Sequence, residues 1–436
     1  MKQVLIALLI FASSAAAQES RVVTLREAVR AALGNAPAIE AVAAAAEVAA
    51  ASVGEAEAAL DPQVTIAASV FRHDEPMIVQ PIHGFEPTRI PPFDRTLIQS
   101  SVQGTLLLWD GGAARGRIDQ ARSMRDAAGV AEDEVRERIV LATVASYLEV
   151  LAASREADAE GERIAAIEAE RRRIEQLRSV GRAAAVESFR AEAALEAARA
   201  RRIDAETRLS LARSALGRLT GLDVAEIAAA EFAGAVLERE ALVAEAALGS
   251  ARVRRLQAAV EAKVAAVRAA EGSRKPQVAA AGNLLEYGSG DGDFTLEWNA
   301  GVHLRFNAID GGAAKSRIVR ARAEVRQAEA DLEAAKLDVL EQLDEALAAV
   351  RRSSALATSY GAAIQSMTEV VRVERLRLEN GVGVQAEYLR AEADLAGARA
   401  AFAASRRSLG IAQTELARIT GRLDPQWVDT NFRSVE

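Results

Sequence analysis

The chain has 436 residues, of which 50% are hydrophobic, 27% charged and only 4% aromatic. The apolar share is mostly alanine, a strong helix former with little bulk, so the composition describes long packed helices rather than a compact enzyme core. A formal net charge of -8 argues against a nucleic-acid partner, and the absence of cysteine excludes disulfides, thiolate metal sites and a lipid-modified N-terminal cysteine.

The first element in chain order is an export signal. Lys2 precedes an apolar run from Val4 to Phe11, and small residues end in Ala15-Ala16-Ala17 before Gln18. A positive start, a short hydrophobic stretch and an A-x-A site predict a secretory signal over residues 1–17, leaving 18–436 as the exported chain. The apolar run falls far short of the roughly 20 residues a spanning helix needs. No later segment reads as long and apolar enough to span as a helix, so entry into a membrane is expected through strands.

A helix from Pro37 to Leu60 leads into two strands, expected at about 62–74 and 96–109. Val64, Ile66, Ala68 and Val70 alternate with Thr65, Ala67, Ser69 and Phe71. Ile98, Val102, Leu106 and Leu108 alternate with Gln99, Ser101, Gln103 and Thr105. From about Ala113 to Ser179 a proline-free helical pattern runs for roughly 100 Å at ~1.5 Å per residue. Gly181 punctuates its far end, and a shorter helix returns from about Ala184 to Leu219.

The whole plan then recurs. A helix from Ser250 to Gly272 leads to strands at about 276–287 and 293–307, followed by helices from Ala313 to about Glu379 and from Val384 to Ile419. In the last strand Phe294, Leu296, Trp298, Ala300, Val302, Leu304 and Phe306 point one way, and Thr295, Glu297, Asn299, Gly301, His303 and Arg305 the other. Asp110-Gly111-Gly112-Ala113-Ala114 returns as Asp310-Gly311-Gly312-Ala313-Ala314. At the same offset Gly181, Glu187 and Arg190 return as Gly381, Glu387 and Arg390. Repeat one therefore covers about 24–221 and repeat two about 241–421, with a short C-terminal tail at 422–436.

One reading of each strand pair is an ordinary hairpin on a soluble core. Against it, the strands exceed ten residues, the length of a tilted membrane-crossing strand. Aromatics also gather on them and on their loops (Phe71, Phe85, Phe93, Trp109, Tyr287), as at the rims of a bilayer. Four strands cannot close on themselves and lipid tolerates no open edges, so several chains are expected to share one barrel.

These residues carry a family resemblance. Leu25-x-Glu27-Ala28-Val29-x-x-Ala32-Leu33-x-Asn35-x-Pro37 is similar to the opening signature of the TolC-like outer-membrane efflux proteins. Pro62-Gln63-Val64 and Pro276-Gln277-Val278 resemble their helix-to-strand passages. Leu108-Trp109-Asp110-Gly111-Gly112 and Ile309-Asp310-Gly311-Gly312 resemble their strand-to-helix motif. The resemblance implies a mainly α fold with a membrane β part. It also implies a homotrimer, whose three chains form a twelve-strand barrel in the outer-membrane lipid and a long α-helical tunnel across the periplasm. The partners it implies are a periplasmic adaptor (membrane fusion protein) and an inner-membrane pump, with no cofactor. Where the family usually carries a proline before the strand-to-helix turn, this chain has Leu107 and Asn307, so the Gly111-Gly112 and Gly311-Gly312 pairs are expected to make the swerve.

The resemblance places the two helical turns at the periplasmic mouth. Glu187 and Glu387 match carboxylate positions there, and Arg190 and Arg390 follow one turn later, where an i,i+3 pair can form. Two readings stand: a charged iris made of symmetry-related rings, or solvated surface pairs worth a few tenths of a kcal/mol each. Gly181, Arg182, Gly381, Val382 and Gly383 are adaptor-contact positions by resemblance. Where relatives latch neighbouring hairpins with arginine or tyrosine, this chain has Gly383 and Leu378.

Other chemistry is thin. His73, Asp74, Glu75, Met77 and His83 fall at the start of a proline-broken loop, where polar residues are ordinary, and no metal is assigned. No nucleophile elbow, phosphate loop or catalytic acid pair is present, so no enzyme is expected. The reading is a passive outer-membrane channel for small-molecule efflux. Type I protein secretion is the alternative within its class, and a periplasmic coiled-coil scaffold or adaptor the alternative outside it.

Overall fold

The computed structural model describes residues 22–83, 92–234 and 239–435. The expected signal at 1–17 and the middle of the expected extracellular loop lie outside them.

Thr24 opens α1 (Leu25–Asn35) with a capping box: its hydroxyl accepts the Glu27 amide at 3.2 Å while the Glu27 carboxylate accepts the Thr24 amide at 3.1 Å. α2 (Pro37–Glu57) starts on proline, whose missing N–H would be unsatisfied there anyway. β1 (Gln63–Ile78) and β2 (Phe93–Trp109) follow, then α3 (Ala113–Ser179) and α4 (Ala185–Thr220). β3 (Ala229–Phe232), α5 (Arg239–Gly249) and α6 (Ala251–Gly272) lead to β4 (Gln277–Ser289) and β5 (Phe294–Arg305). The chain closes with α7 (Ala313–Glu379), α8 (Gln385–Ile419), α9 (Pro425–Asn431) and β6 (Phe432–Val435). Helices α3 and α7 are 67 residues each.

One expectation about helices is corrected. The segment Pro37–Leu60, with 24 residues and a mean hydropathy of 1.3, is long and apolar enough to cross a membrane by length and composition. Its apolarity comes from alanines such as Ala43 to Ala46 and Ala49 to Ala51. Membrane helices gain their insertion energy from Leu, Ile, Phe and Val, so the length criterion is met with little driving force behind it.

The main sheet is antiparallel, in the order β1-β2-β4-β5. Its register explains the alternation in the sequence. Ile66, Val102, Leu284 and Trp298 form one cross-strand row, and Thr65, Gln103, Asn283 and Asn299 the adjacent one. Residues directly opposite share a face, so one face is apolar and the other polar. The apolar face is uncovered: Ile66 and Trp298 are each 77% exposed. β1 and β5 are the sheet's two edges.

Four strand limits differ from expectation, one of them the start of β2, at Phe93 rather than about 96. β1 runs on through Pro76 to Ile78, so His73 to Met77 belong to a strand and not to a loop. An edge strand accepts proline, and the pairing slips between Arg72 and Met77 to accommodate it. Gly288 and Ser289 extend β4, and β5 ends at Arg305, leaving Phe306 and Asn307 beyond it.

A second sheet pairs β3 with β6, and the segment read as a plain tail is α9 plus β6. Phe232, Trp427 and Phe432 meet there, Phe432 edge-on to the other two rings, with ring centroids 5.6–6.2 Å apart. Such aromatic contacts add about 0.5–1.5 kcal/mol each beyond burial.

The chain divides into two compact units. The first contains α1, β3, α4, α5, α8, α9, β6, the distal part of α3 and the later part of α7. Its larger core gathers Val23, Leu25, Val140, Val144, Tyr147 and Leu216. Tyr147 is fully buried and shares its hydroxyl proton between the carbonyls of Ala228 (2.6 Å) and Val23 (2.9 Å); burial pushes its ionisation upward. A smaller core near the hairpin ends gathers Ile167, Leu195, Val371, Leu378, Tyr388 and Leu389.

The second unit holds the four-stranded sheet, α6 and the helix segments beside it. There α3 and α6 approach backbone to backbone. A Cβ on Gly116 would lie 2.5 Å from the Ala269 nitrogen, and one on Gly272 would lie 2.5 Å from the Ala113 nitrogen. Ion pairs flank that contact, including Arg268–Asp119 at 3.2 Å and Arg322–Glu271 at 2.6 Å. They are exposed and contribute about 0–1 kcal/mol each.

Candidate functional sites at the turns and hairpin ends

The strand-to-helix turns have the same geometry in both repeats. Gly111 and Gly112 adopt φ of 72° and 91°, and Gly311 and Gly312 adopt 63° and 89°. These left-handed angles are strained for any residue with a Cβ. Asp110 accepts the amides of Gly112 (3.0 Å) and Ala114 (2.6 Å), and Asp310 those of Gly312 (3.0 Å) and Ala314 (2.7 Å). Each aspartate thus caps the long helix that follows, satisfying donors that have no intrahelical partner. The Ala314 amide is the main cause holding the Asp310 carboxyl below its ordinary range. The glycine pairs were expected to make this turn and the aspartate caps were not, although an aspartate just ahead of a helix is the signal that would have disclosed them.

At the other end of the long helices, Gly181 and Gly381 take φ of 72° and 78°. Arg182 donates its amide to the Leu177 carbonyl at 2.8 Å, and Val382 to Arg377 at 3.0 Å. Both turns thus close the last carbonyls of a long helix. Gly383 also donates to the Arg377 carbonyl at 2.9 Å, and a Cβ there would lie 2.6 Å from the Leu378 nitrogen. Val382 is 69% exposed.

Glu187 and Glu387 stand in the first turns of α4 and α8, where a carboxylate complements the helix dipole. Neither forms an ion pair with the arginine one turn later. Arg390 instead points toward Asp394 at 3.9 Å, and Arg190 has no ion-pair partner among the described residues. Arg173, on the preceding helix, feels the Glu187 charge only as a minor influence. Arg173 is bound twice by Glu170, at 2.7 and 2.8 Å, and its guanidinium is held further in the charged form by Glu170 first, then by Glu187 and Glu379. The buried Gln385 side chain donates to the Glu187 carbonyl at 2.9 Å, joining the starts of the two returning helices.

A cluster that the sequence did not disclose lies in the second hairpin. Tyr388 is 3% exposed, and its hydroxyl accepts from Arg375 at 3.3 Å. Arg375 also sits 5.8 Å from the Tyr388 ring centroid and 3.5 Å from Glu392, itself buried. Burial pushes the Tyr388 hydroxyl up to about 12, with its Glu392 contact adding to the shift. No motif marks these residues, because α7 and α8 bring them together only once the hairpin forms. His83 lies 2.6 Å from Glu297, and no group of three or more His, Asp or Glu able to hold a metal occurs among the described residues.

These features can be set beside known proteins. A family model described as outer membrane efflux protein matches the chain twice, over residues 28–222 and 242–422. Protein CyaE of Bordetella pertussis is 28% identical over 347 residues, which cover 74% of this chain and 72% of that relative. A membrane protein from Pseudomonas aeruginosa superposes with a TM-score of 0.78 at 21% identity, covering 91% of this chain and 90% of its own. The outer membrane protein VceC of Vibrio cholerae superposes with a TM-score of 0.76 at 16% identity, covering 91% and 96%. At those identities the two structures show a shared fold.

Proposed function

From the premise that the chain belongs to the outer membrane efflux protein family, we propose that three copies assemble into one channel that lets solutes leave the periplasm. The protein is located in the outer membrane and extends into the periplasm. The observation that carries the reading is the four-stranded sheet. It has two edge strands, an exposed apolar face and an opposite polar face. Lipid tolerates no unpaired edge, and four strands are too few to close, so β5 of one copy pairs with β1 of the next. Three copies supply twelve strands, with the apolar rows toward lipid and the polar rows toward water.

The channel conducts passively. Energy comes from an inner-membrane pump, reached through a periplasmic adaptor that meets the hairpin ends around Gly181, Arg182, Gly381, Val382 and Gly383. Glu187 and Glu387, repeated by symmetry, ring the mouth. The cargo is small molecules.

Cell fractionation tests this reading. The protein is expected to stay with the outer membrane after salt and urea washing, and to run as a heat-sensitive trimer. A strain lacking it is expected to become sensitive to dyes, bile salts or metals. Release of the protein into the wash would contradict the channel. Loss of an exported protein with unchanged sensitivities would replace the small-molecule cargo with protein secretion.

A further inference from the structure

The chain carries a net charge of -8, yet one recess in the second unit is strongly positive. It lies where the strands meet the long helices and has a volume of about 460 Å³. Arg117, Arg274, Lys275, Arg305, Lys315 and Arg317 line it, against only two carboxylates, Asp110 and Asp310. Both aspartates are already committed as helix caps through short amide contacts. Arg117 and Arg317 stand 3.7 and 3.9 Å from them, and Lys275 donates to the Gly111 carbonyl at 3.3 Å. Arg274, Arg305 and Lys315 have no ion-pair partner among the described residues. Gln277 and Arg305 pair across β4 and β5 in a polar row, which puts the recess on the polar face of the sheet.

Clustered like charges repel and cost stability unless a counter-charge occupies the space between them. We propose that this recess binds anionic groups (phosphate, carboxylate or sulfonate) of solutes moving along the polar face. The inference rests on the channel reading and adds a substrate class to it, organic anions. Threefold symmetry turns the recess into a ring of cations just below the barrel. A membrane phospholipid carries the same phosphate chemistry, but the polar face is the one turned from lipid, so the solute is the source favoured.

The test is single-channel recording of the purified protein in bilayers of phosphatidylcholine alone, with inorganic tripolyphosphate added on the side of the strand turns. Tripolyphosphate is expected to block the current. The triple variant Arg274→Gln, Arg305→Gln, Lys315→Gln is expected to need about tenfold more for half-block. Lys315→Arg and Arg320→Gln, the latter outside the recess, are expected to block like the parent. Equal block of parent and triple variant, both heat-sensitive trimers, would overturn the inference while leaving the channel intact. No current from the parent would instead defeat the channel reading. If adding phosphatidylglycerol to the bilayer abolished the block, the recess would hold lipid and the solute assignment would fall.

Discussion

The two hairpin ends share a backbone and differ in what fixes them. Each follows a 67-residue helix and turns on a left-handed glycine before its returning helix. In the first, Glu192 pairs with Arg171 at 3.2 Å in an exposed contact. The position of Tyr388 is taken there by Ser188, and that of Arg375 by Glu175. In the second, the equivalent Glu392 is buried and meets Arg375 beneath a buried tyrosine. The turn also differs, since Gly383 packs onto the Leu378 backbone where the first copy has Ala183. Duplication preserved the geometry, and substitution then gave one end a packed polar anchor and the other a solvated one. An exposed pair contributes about 0–1 kcal/mol, whereas a buried ring with satisfied polar groups contributes several times more.

Substitution at the paired positions sharpens that contrast. Tyr388→Ala is expected to destabilise by about 3–5 kcal/mol, as for other buried aromatics, while Ser188→Ala stays within about 0.5 kcal/mol. Denaturant melts of the detergent-solubilised protein measure both, and equal losses would erase the distinction. Gly383→Ala forces a Cβ into the Leu378 backbone and is expected to cost about 1–3 kcal/mol. Ala183→Gly should shift stability by about 1 kcal/mol or less, with proteolytic nicking at the two turns as the local readout.

Alkaline titration addresses the same tyrosine. Its ionisation is raised from 10.0 to about 12 in the folded protein. The folded state therefore holds this proton more tightly than the unfolded one. The resulting stability is fully present below pH 10.0 and is lost as pH rises through about 12. Tyrosinate absorbance in the parent minus that in Tyr388→Phe should show one group ionising near 12, and a midpoint near 10 would place Tyr388 in water. The smallest effect is expected at the first hairpin, where Arg171→Ala should change stability by less than about 0.5 kcal/mol.

The strands and long helices were legible because their patterns are long. Ten or more residues of alternation, or a proline-free helical run copied at one offset, leave few other readings. The β3–β6 sheet was not legible, since four-residue strands carry almost no periodicity and their partners lie at opposite ends of the chain. Strand limits failed where an edge absorbed Pro76. The positions of Glu187, Glu387 and the glycine turns could be read, but not the company they keep. Arg190 was expected to pair with Glu187 from helical spacing, yet it has no ion-pair partner among the described residues, while Arg173 is held by Glu170 within its own helix. The Arg375–Tyr388–Glu392 cluster depends on contacts across a hairpin, which one-dimensional spacing does not encode.

Sharing of the sheet edges between copies underlies the whole account, and the mass of the assembly tests it most directly. Native mass spectrometry of the detergent-purified mature protein is expected to give a single species of three chains that falls to monomers on heating. A stable monomer that remains soluble without detergent would contradict it.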